Sequence, residues 1–174
     1  MTKLLWSKTR PDAVIPVKRD EDAGWDLYPC FEGPYLEIEA DETVFIGLGV
    51  ASAFPKEYVM FLKERGSTAK YGLSIRSGVI DSGYRGEYVL ALTNINDEGE
   101  PIYIVKDDFY DGKSFLMVEG GPILKPNNTY PASKAICQAV LLPVPQVESQ
   151  EIPYEELLKI ESERGTGKMG SSGK

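Results

Sequence analysis

The feature that most constrains this chain is a succession of short strand-forming segments cut apart by glycine and proline. "LEIEA" (Leu36 to Ala40) alternates apolar and acidic residues with a period of two, the pattern of a strand with one face on a core. "TVFIGLGVASAF" is apolar and β-branched, and its internal glycines predict a bend or bulge. "EYVMFLKE" and "GEYVLALTNIN" read as further strands, and the continuous apolar run "AICQAVLLPV" (Ala135 to Val144) reads as a strand buried on both faces. Helix signals are few. "STAKYG" suits a single turn, and "PYEELLKIES" (Pro153 to Ser162) starts on a proline and has Leu157, Leu158 and Ile160 available to bury one face. Many short strands with 17 glycines and 12 prolines between them predict an all-β sandwich or barrel with little helix.

A length of 174 residues suits one domain with a full core. The reading is a β domain over 1–162, with 97–133 as an inserted excursion, followed by a flexible arm over 163–174 rich in glycine and serine. The excursion is either an added hairpin or a long surface loop. No apolar run is long enough to span a bilayer, and the first residues lack a signal peptide's apolar region, so a cytoplasmic protein with no membrane contact is expected.

Composition narrows the chemistry. The chain has no histidine, which removes His-based triads and His-ligated metals and leaves carboxylates as the general bases available near neutral pH. Its two cysteines, Cys30 and Cys137, are far apart, form no zinc motif and are expected as reduced thiols. A net charge of -8 argues against nucleic acid as a partner, although a small anion met by a few arginines and backbone amides is compatible with it.

Several stretches could carry chemistry, and each has a plainer reading when taken alone. "RGSTAKYGL" (Arg65 to Leu73) is an anion cradle or a simple turn with an exposed arginine. "RGTGKMGSSGK" at the C-terminus has the same chemistry without the Walker spacing, and is equally a loose tail. In "GVIDSGYRGEY" (Gly78 to Tyr88), an acid follows three strand-like residues and an aromatic follows three positions later. That makes it either a hairpin or an acid held at a pocket edge. "AGWDLYP" and "ICQ" pass as strand residues, except that a buried Gln138 needs a hydrogen-bond partner.

Together and in this order, "AGWDL", "ERGSTAKYGL", "GVIDSGYRGE", "AICQAV" and "RGTGKMGSSG" resemble the five motifs of the trimeric dUTPase family, and the excursion at 97–133 resembles the insertion of its phage or prophage type. The third is nearly complete. The resemblance implies a jelly-roll-like fold closed as a homotrimer with active sites shared between subunits. It also implies hydrolysis of dUTP to dUMP and pyrophosphate with Mg2+ held mainly by the triphosphate and waters, and no direct protein ligand to the metal.

On this resemblance Asp81 activates the attacking water, and Tyr84 packs on the deoxyribose and excludes a 2'-hydroxyl. The backbone of Gly78, Val79 and Ile80 reads uracil. Arg65, Gly66 and Ser67, with Gln138, hold phosphates, as do Arg164, Ser171 and Ser172 of the arm. Asp26 supports the site, and Met169 covers the base. Three departures stand out: Gly66 where the family has serine after the arginine, Ala135 where it has a polar residue, and Lys168–Met169 where it has Gly-Phe. A dCTP deaminase-like enzyme and a regulatory binding module are the alternatives on this fold. The excursion motivates the second, as the place where a protein partner would bind.

Overall fold

The computed structural model describes residues 3–76, 78–96, 99–109, 116–117, 123–124 and 126–167. Two units make up the chain, 1–144 and 145–174. The expected start of the arm at residue 163 falls inside the second of them. The first unit is built of strands and matches the all-β, jelly-roll-like expectation.

Its strands are β1 (Leu5–Lys8), β2 (Trp25–Leu27), β3 (Tyr35–Ile38), β4 (Thr43–Gly47), β5 (Val50–Ala53), β6 (Tyr58–Lys63), β7 (Leu73–Ile75), β8 (Val79–Ile80), β9 (Val89–Asn94), β10 (Ile102–Val105), β11 (Leu116–Met117), β12 (Ile123–Leu124), β13 (Thr129–Pro131) and β14 (Cys137–Pro143). They pair in the orders β2-β14-β6-β8, β4-β9-β7, β13-β10-β3 and β1-β5, with β11-β12 as a separate antiparallel pair. One core cluster draws Leu27, Ile38, Ile46, Leu62, Leu90 and Ile104 from different sheets, so the sheets enclose a common interior. Each such side chain removed from water is worth about 1.5–3 kcal/mol.

The expected bend inside "TVFIGLGVASAF" lies at Leu48 and Gly49, between β4 and β5. Gly49 has φ +66°, and a Cβ there would come within 2.5 Å of Ala13 Cβ and 2.8 Å of Cys30 Sγ. Glycine is therefore required at this position on both conformational and packing grounds. The turn transfers the chain from the β4-β9 ladder to the β5-β1 ladder.

Three expectations change. The 97–133 segment is not wholly an excursion. Ile102, Tyr103, Ile104 and Val105 are all buried in β10, which lies between β3 and β13, and Tyr130 of β13 is fully buried. An apolar "IYIV" run gains more from the core than from a surface loop. Only the β11-β12 pair between them matches the expected hairpin.

The run at β14 is not buried on both faces: Cys137 and Ala139 are fully buried, whereas Gln138 and Val140 are half-buried and Leu142 is exposed. Ala135 and Ile136 are buried as the chain enters the strand, and within β14 only the alternate residues Cys137 and Ala139 reach the core, as the two-residue period of a strand requires.

The predicted helix near Pro153 forms only as α2 (Tyr154–Leu157), with Pro153 as its N-cap; the earlier α1 (Gly66–Ala69) is the other. Leu157, Leu158 and Ile160 are 52%, 53% and 62% exposed, so they bury no face. One turn of helix is too short to present an apolar stripe to a core.

Candidate functional site

The sequence-predicted residues fall into two groups in the first unit. The first is a cradle at the C-terminal end of β6. There β14 pairs with both β2 and β6, and Gln138 lies opposite Asp26 on one side and Lys63 on the other. Directly opposed residues share a face of the sheet, so Asp26 and Gln138 stand side by side. Gln138 Nε2 donates to Glu64 O at 3.0 Å, which satisfies the polar group that the sequence placed in an apolar run. Gly24 packs against it, since a Cβ there would lie 3.0 Å from Gln138 Oε1.

Just past β6, Arg65 adopts an extended conformation and caps α1. Its Nε lies 3.1 Å from Asp26 Oδ1, and its Nη1 donates to Ala135 O at 3.3 Å. Both ion-pair partners are one-third exposed, so the pair contributes at most about 1 kcal/mol to stability. Its effect is to aim the guanidinium, which has five donors and uses two in these contacts.

The short helix α1 is fastened underneath. Buried Thr68 donates through Oγ1 to Ile136 O at 2.8 Å, and Tyr130 Oη donates to Ala135 O at 2.7 Å. Ser67 Oγ lies 3.3 Å from Tyr130 Oη, and because the phenol proton goes to Ala135, Ser67 is the donor of that pair. Glycine at position 66 meets nothing within 4 Å of a built Cβ, so it leaves the approach to the cradle open. A cavity of about 570 Å³ opens over this group, lined by Lys18, Arg19, Asp22, Asp26, Arg65 and Gln138 among others.

Lys18 and Arg19 were not singled out from the sequence. Lys18 Nζ donates to Asp22 O at 2.9 Å and lies 5.3 Å from the centre of the Trp25 ring, while Arg19 pairs with Asp22. Their proximity to Arg65 depends on the path from β1 to β2, which has no local signature.

The second group is the hairpin after β8. Val79 and Ile80 pair with Phe61 and Met60 of β6, and Leu62 N donates to Gly78 O at 2.7 Å. A Cβ at Gly78 would lie 2.5 Å from Leu62 O, so only glycine allows this approach. Tyr84 N donates to Asp81 O at 3.0 Å and closes the turn, which Arg85 Nη1 reinforces with bonds to Ser82 O and Tyr84 O at 2.7 and 2.8 Å. Asp81 is exposed and Tyr84 is 43% exposed. Tyr84 Oη donates to Glu87 O at 2.9 Å, and its ring stacks on buried Tyr88 at 6.5 Å.

The two groups are not brought together within one chain. Ile80 pairs opposite Met60 and Gln138 opposite Lys63, on either side of β6. Three residues along β6 and two strand spacings across it separate them by about 14 Å.

Arg164 belongs to the second unit, where its Nε donates to Gly167 O at 3.1 Å and its N–H to Ser162 Oγ at 3.3 Å. Met169, Ser171 and Ser172 lie outside the described residues, as does Lys168. Among the described residues no cluster of three or more His, Cys, Asp or Glu side chains could hold a metal ion. No helix among them is long and apolar enough to cross a membrane.

Comparison with known proteins gives a consistent answer. The dUTPase family model matches residues 11–108, which contain the cradle's Asp26 and Arg65 and the whole hairpin. The deoxyuridine 5'-triphosphate nucleotidohydrolase of Gloeobacter violaceus is 33% identical over 156 residues, covering 87% of this chain and 83% of that protein. The Nautilia profundicola enzyme of the same name is 32% identical over 99% of both chains. Among solved structures, the Staphylococcus bacteriophage 80alpha dUTPase with dUPNHPP aligns with a TM-score of 0.72 at 26% identity, covering 99% of both chains.

Proposed function

The chain belongs to the dUTPase family, and from that premise we propose that it hydrolyses dUTP to dUMP and pyrophosphate at a site completed by other copies of itself. The observation that carries the reading is the pairing of an aimed arginine–glutamine cradle with an exposed acid on a rigid hairpin.

In this reading Arg65 and Gln138 bind the phosphates, and Lys18 adds positive charge at the rim. The first turn of α1 stands close by. Asp81 accepts a proton from a water whose oxygen attacks the α-phosphorus. The bond from that phosphorus to the oxygen bridging toward the β-phosphate breaks, and pyrophosphate leaves with the electron pair. The Gly78–Ile80 backbone presents fixed donors and acceptors to uracil, and Tyr84 lies along the deoxyribose. Arg164, Met169, Ser171 and Ser172 close over the triphosphate as the arm orders. Here 1–162 acts as the catalytic body and 163–174 as the arm, with the β11-β12 pair inside 97–133 available to a protein partner.

The donors around the cavity suit Mg2+ only as a complex with the triphosphate. Asp26 is engaged by Arg65 and Asp22 by Arg19, so the cradle offers cations and amides to phosphate oxygens. Arg65 and Gln138 would hold such a complex through those oxygens. The ion would neutralise charge on the phosphates.

About 14 Å between the hairpin and the cradle is too far for one nucleotide α-phosphate to meet both. A closed homotrimer, with the hairpin of one subunit over the cradle of another, supplies the missing proximity. We place the enzyme in the cytoplasm, where its substrate is made and used.

Pyrophosphate release measured with dUTP, dCTP, dTTP and UTP tests the reaction. Selective release from dUTP supports it, and ammonia release from dCTP would replace it with deamination.

A further inference from the structure

Glu87 sits at the base of the hairpin, and nothing in the reaction above uses its side chain. That carboxylate nonetheless accepts four bonds from three residues. Arg10 grips it with both arms, Nε to Oε2 and Nη2 to Oε1, each at 3.0 Å. Thr9 Oγ1 donates to Oε2 at 3.0 Å, and Gly49 N donates to Oε1 at 3.3 Å. The side chain fills a slot that exists because residue 47 is glycine, where a Cβ would overlap Glu87 Oε1. Two separate segments therefore fix residue 87: the chain after β1, through Thr9 and Arg10, and the end of β4 with its following bend, through Gly47 and Gly49.

The other side of the same residue faces Tyr84. The carbonyl of Glu87 accepts the Tyr84 phenol proton at 2.9 Å. The hydroxyl end of the ring lies against Gly86, where a Cβ would come within 2.6 Å of Tyr84 Cζ. Its neighbour Tyr88 is fully buried and held through Ser52 Oγ at 2.5 Å. The ring's only polar tether within the described residues is therefore the Glu87 carbonyl, which is held from two sides: Tyr88 N of the same peptide donates to Val50 O at 2.8 Å, and the Arg10–Glu87 ion pair anchors the residue that carries the carbonyl. A charge-assisted, two-pronged bond suits this task, since it fixes direction as well as distance.

We propose that Arg10 and Glu87 are positioning residues for Tyr84, and that this N-terminal ion pair sets how strictly the enzyme rejects a 2'-hydroxyl. The inference rests on the reading of Tyr84 as the sugar wall. Without the ion pair, residue 87 loses its side-chain clamp and its carbonyl is held mainly through the Tyr88 N to Val50 O bond, so it can shift beneath the phenol and the ring gains room to tilt. Ribonucleotides then enter, while the cradle and Asp81 are untouched.

The test compares kcat/KM for UTP and dUTP in the intact enzyme, with Glu87→Gln, Arg10→Lys, Arg10→Gln, the Arg10→Gln/Glu87→Gln double variant and Tyr84→Ala. Glu87→Gln and Arg10→Gln should each raise the UTP-to-dUTP ratio about tenfold or more, in keeping with the cost of misplacing a positioning group. Arg10→Lys should restore part of the selectivity. The double variant should be no worse than either single, because both act through one bond. The same ordering should appear in affinities for non-hydrolysable dUTP and UTP analogues, which do not depend on turnover.

A ratio unchanged in folded Glu87→Gln and Arg10→Gln, but raised in Tyr84→Ala, overturns the proposal and leaves the sugar wall standing. A ratio unchanged in Tyr84→Ala overturns both. A wild-type protein that ignores dUTP defeats the underlying reaction instead.

Discussion

Asp26 and Gln138 face one another across the β2-β14 ladder, and they are tied to two consecutive residues just past β6. Gln138 Nε2 donates to Glu64 O at 3.0 Å, and Asp26 Oδ1 lies 3.1 Å from Arg65 Nε. Strand pairing, rather than any one loop, thus fixes the cradle, and a phosphate meets donors already aimed.

Arg65→Lys is expected to raise KM for dUTP about tenfold while leaving the melting temperature nearly unchanged. Lysine keeps the charge but loses the planar fork that contacts Asp26 and Ala135 together. Steady-state kinetics with a parallel thermal melt checks this. An unaltered KM would remove Arg65 from the phosphate contacts.

Asp81→Asn should lower kcat about a hundredfold or more and leave affinity for a non-hydrolysable dUTP analogue close to wild type. The amide keeps the side-chain shape and cannot take the water's proton. Near-normal turnover in this variant would move the base elsewhere.

Much of this was legible before any coordinates. The period-two pattern of "LEIEA" marks β3, strand-like apolar runs mark β4, β6 and β9, and the paired glycines around Leu48 mark the bend. The motif residues fell into two coherent groups, because each motif is a local stretch whose chemistry survives in one dimension. What could not be read depends on distance along the chain. Arg10 and Glu87 are 77 residues apart, and Lys18 enters the cavity only because of the path the chain takes before β2. The "IYIV" run reads as part of an excursion because polar turn residues surround it, although its four apolar residues gain a place between two strands. The apolar residues after Pro153 suggest a buried face and stay exposed, since periodicity cannot say whether a partner exists.

Glu87 also gives a pH signature. Burial pushes its carboxyl up, but hydrogen bonds from Arg10, Thr9 and Gly49 N together pull it below the usual carboxylate range. A depressed value in the folded state means stability that is fully present above the unfolded value of about 4.3 and is lost as pH falls through the folded value. Glu87→Gln should therefore be less stable than wild type by about 1–2 kcal/mol at neutral pH. That difference should shrink below about pH 4. Urea midpoints of both proteins across this range give the comparison, and a gap independent of pH would contradict it.

Truncation after Ser162 should preserve assembly and lower kcat/KM for dUTP strongly. The lost residues include Arg164 and four glycines, whose ordering over the triphosphate costs backbone entropy that the arginine must offset. Sedimentation and kinetics on the same sample separate the two effects. Full activity in the shortened protein would leave the arm without a catalytic part.

The claim on which the rest depends is that hairpin and cradle act from different copies of the chain. Asp81→Asn and Arg65→Ala proteins, each nearly inactive alone, can be unfolded together, refolded as mixed trimers and assayed for pyrophosphate release from dUTP. A site that takes its hairpin from the Arg65→Ala chain and its cradle from the Asp81→Asn chain is wild type in both. Equal mixing should therefore restore about a quarter of the normal activity. Mixed trimers verified by mass that stay as inactive as their parents would place hairpin and cradle in one subunit and contradict the divided site.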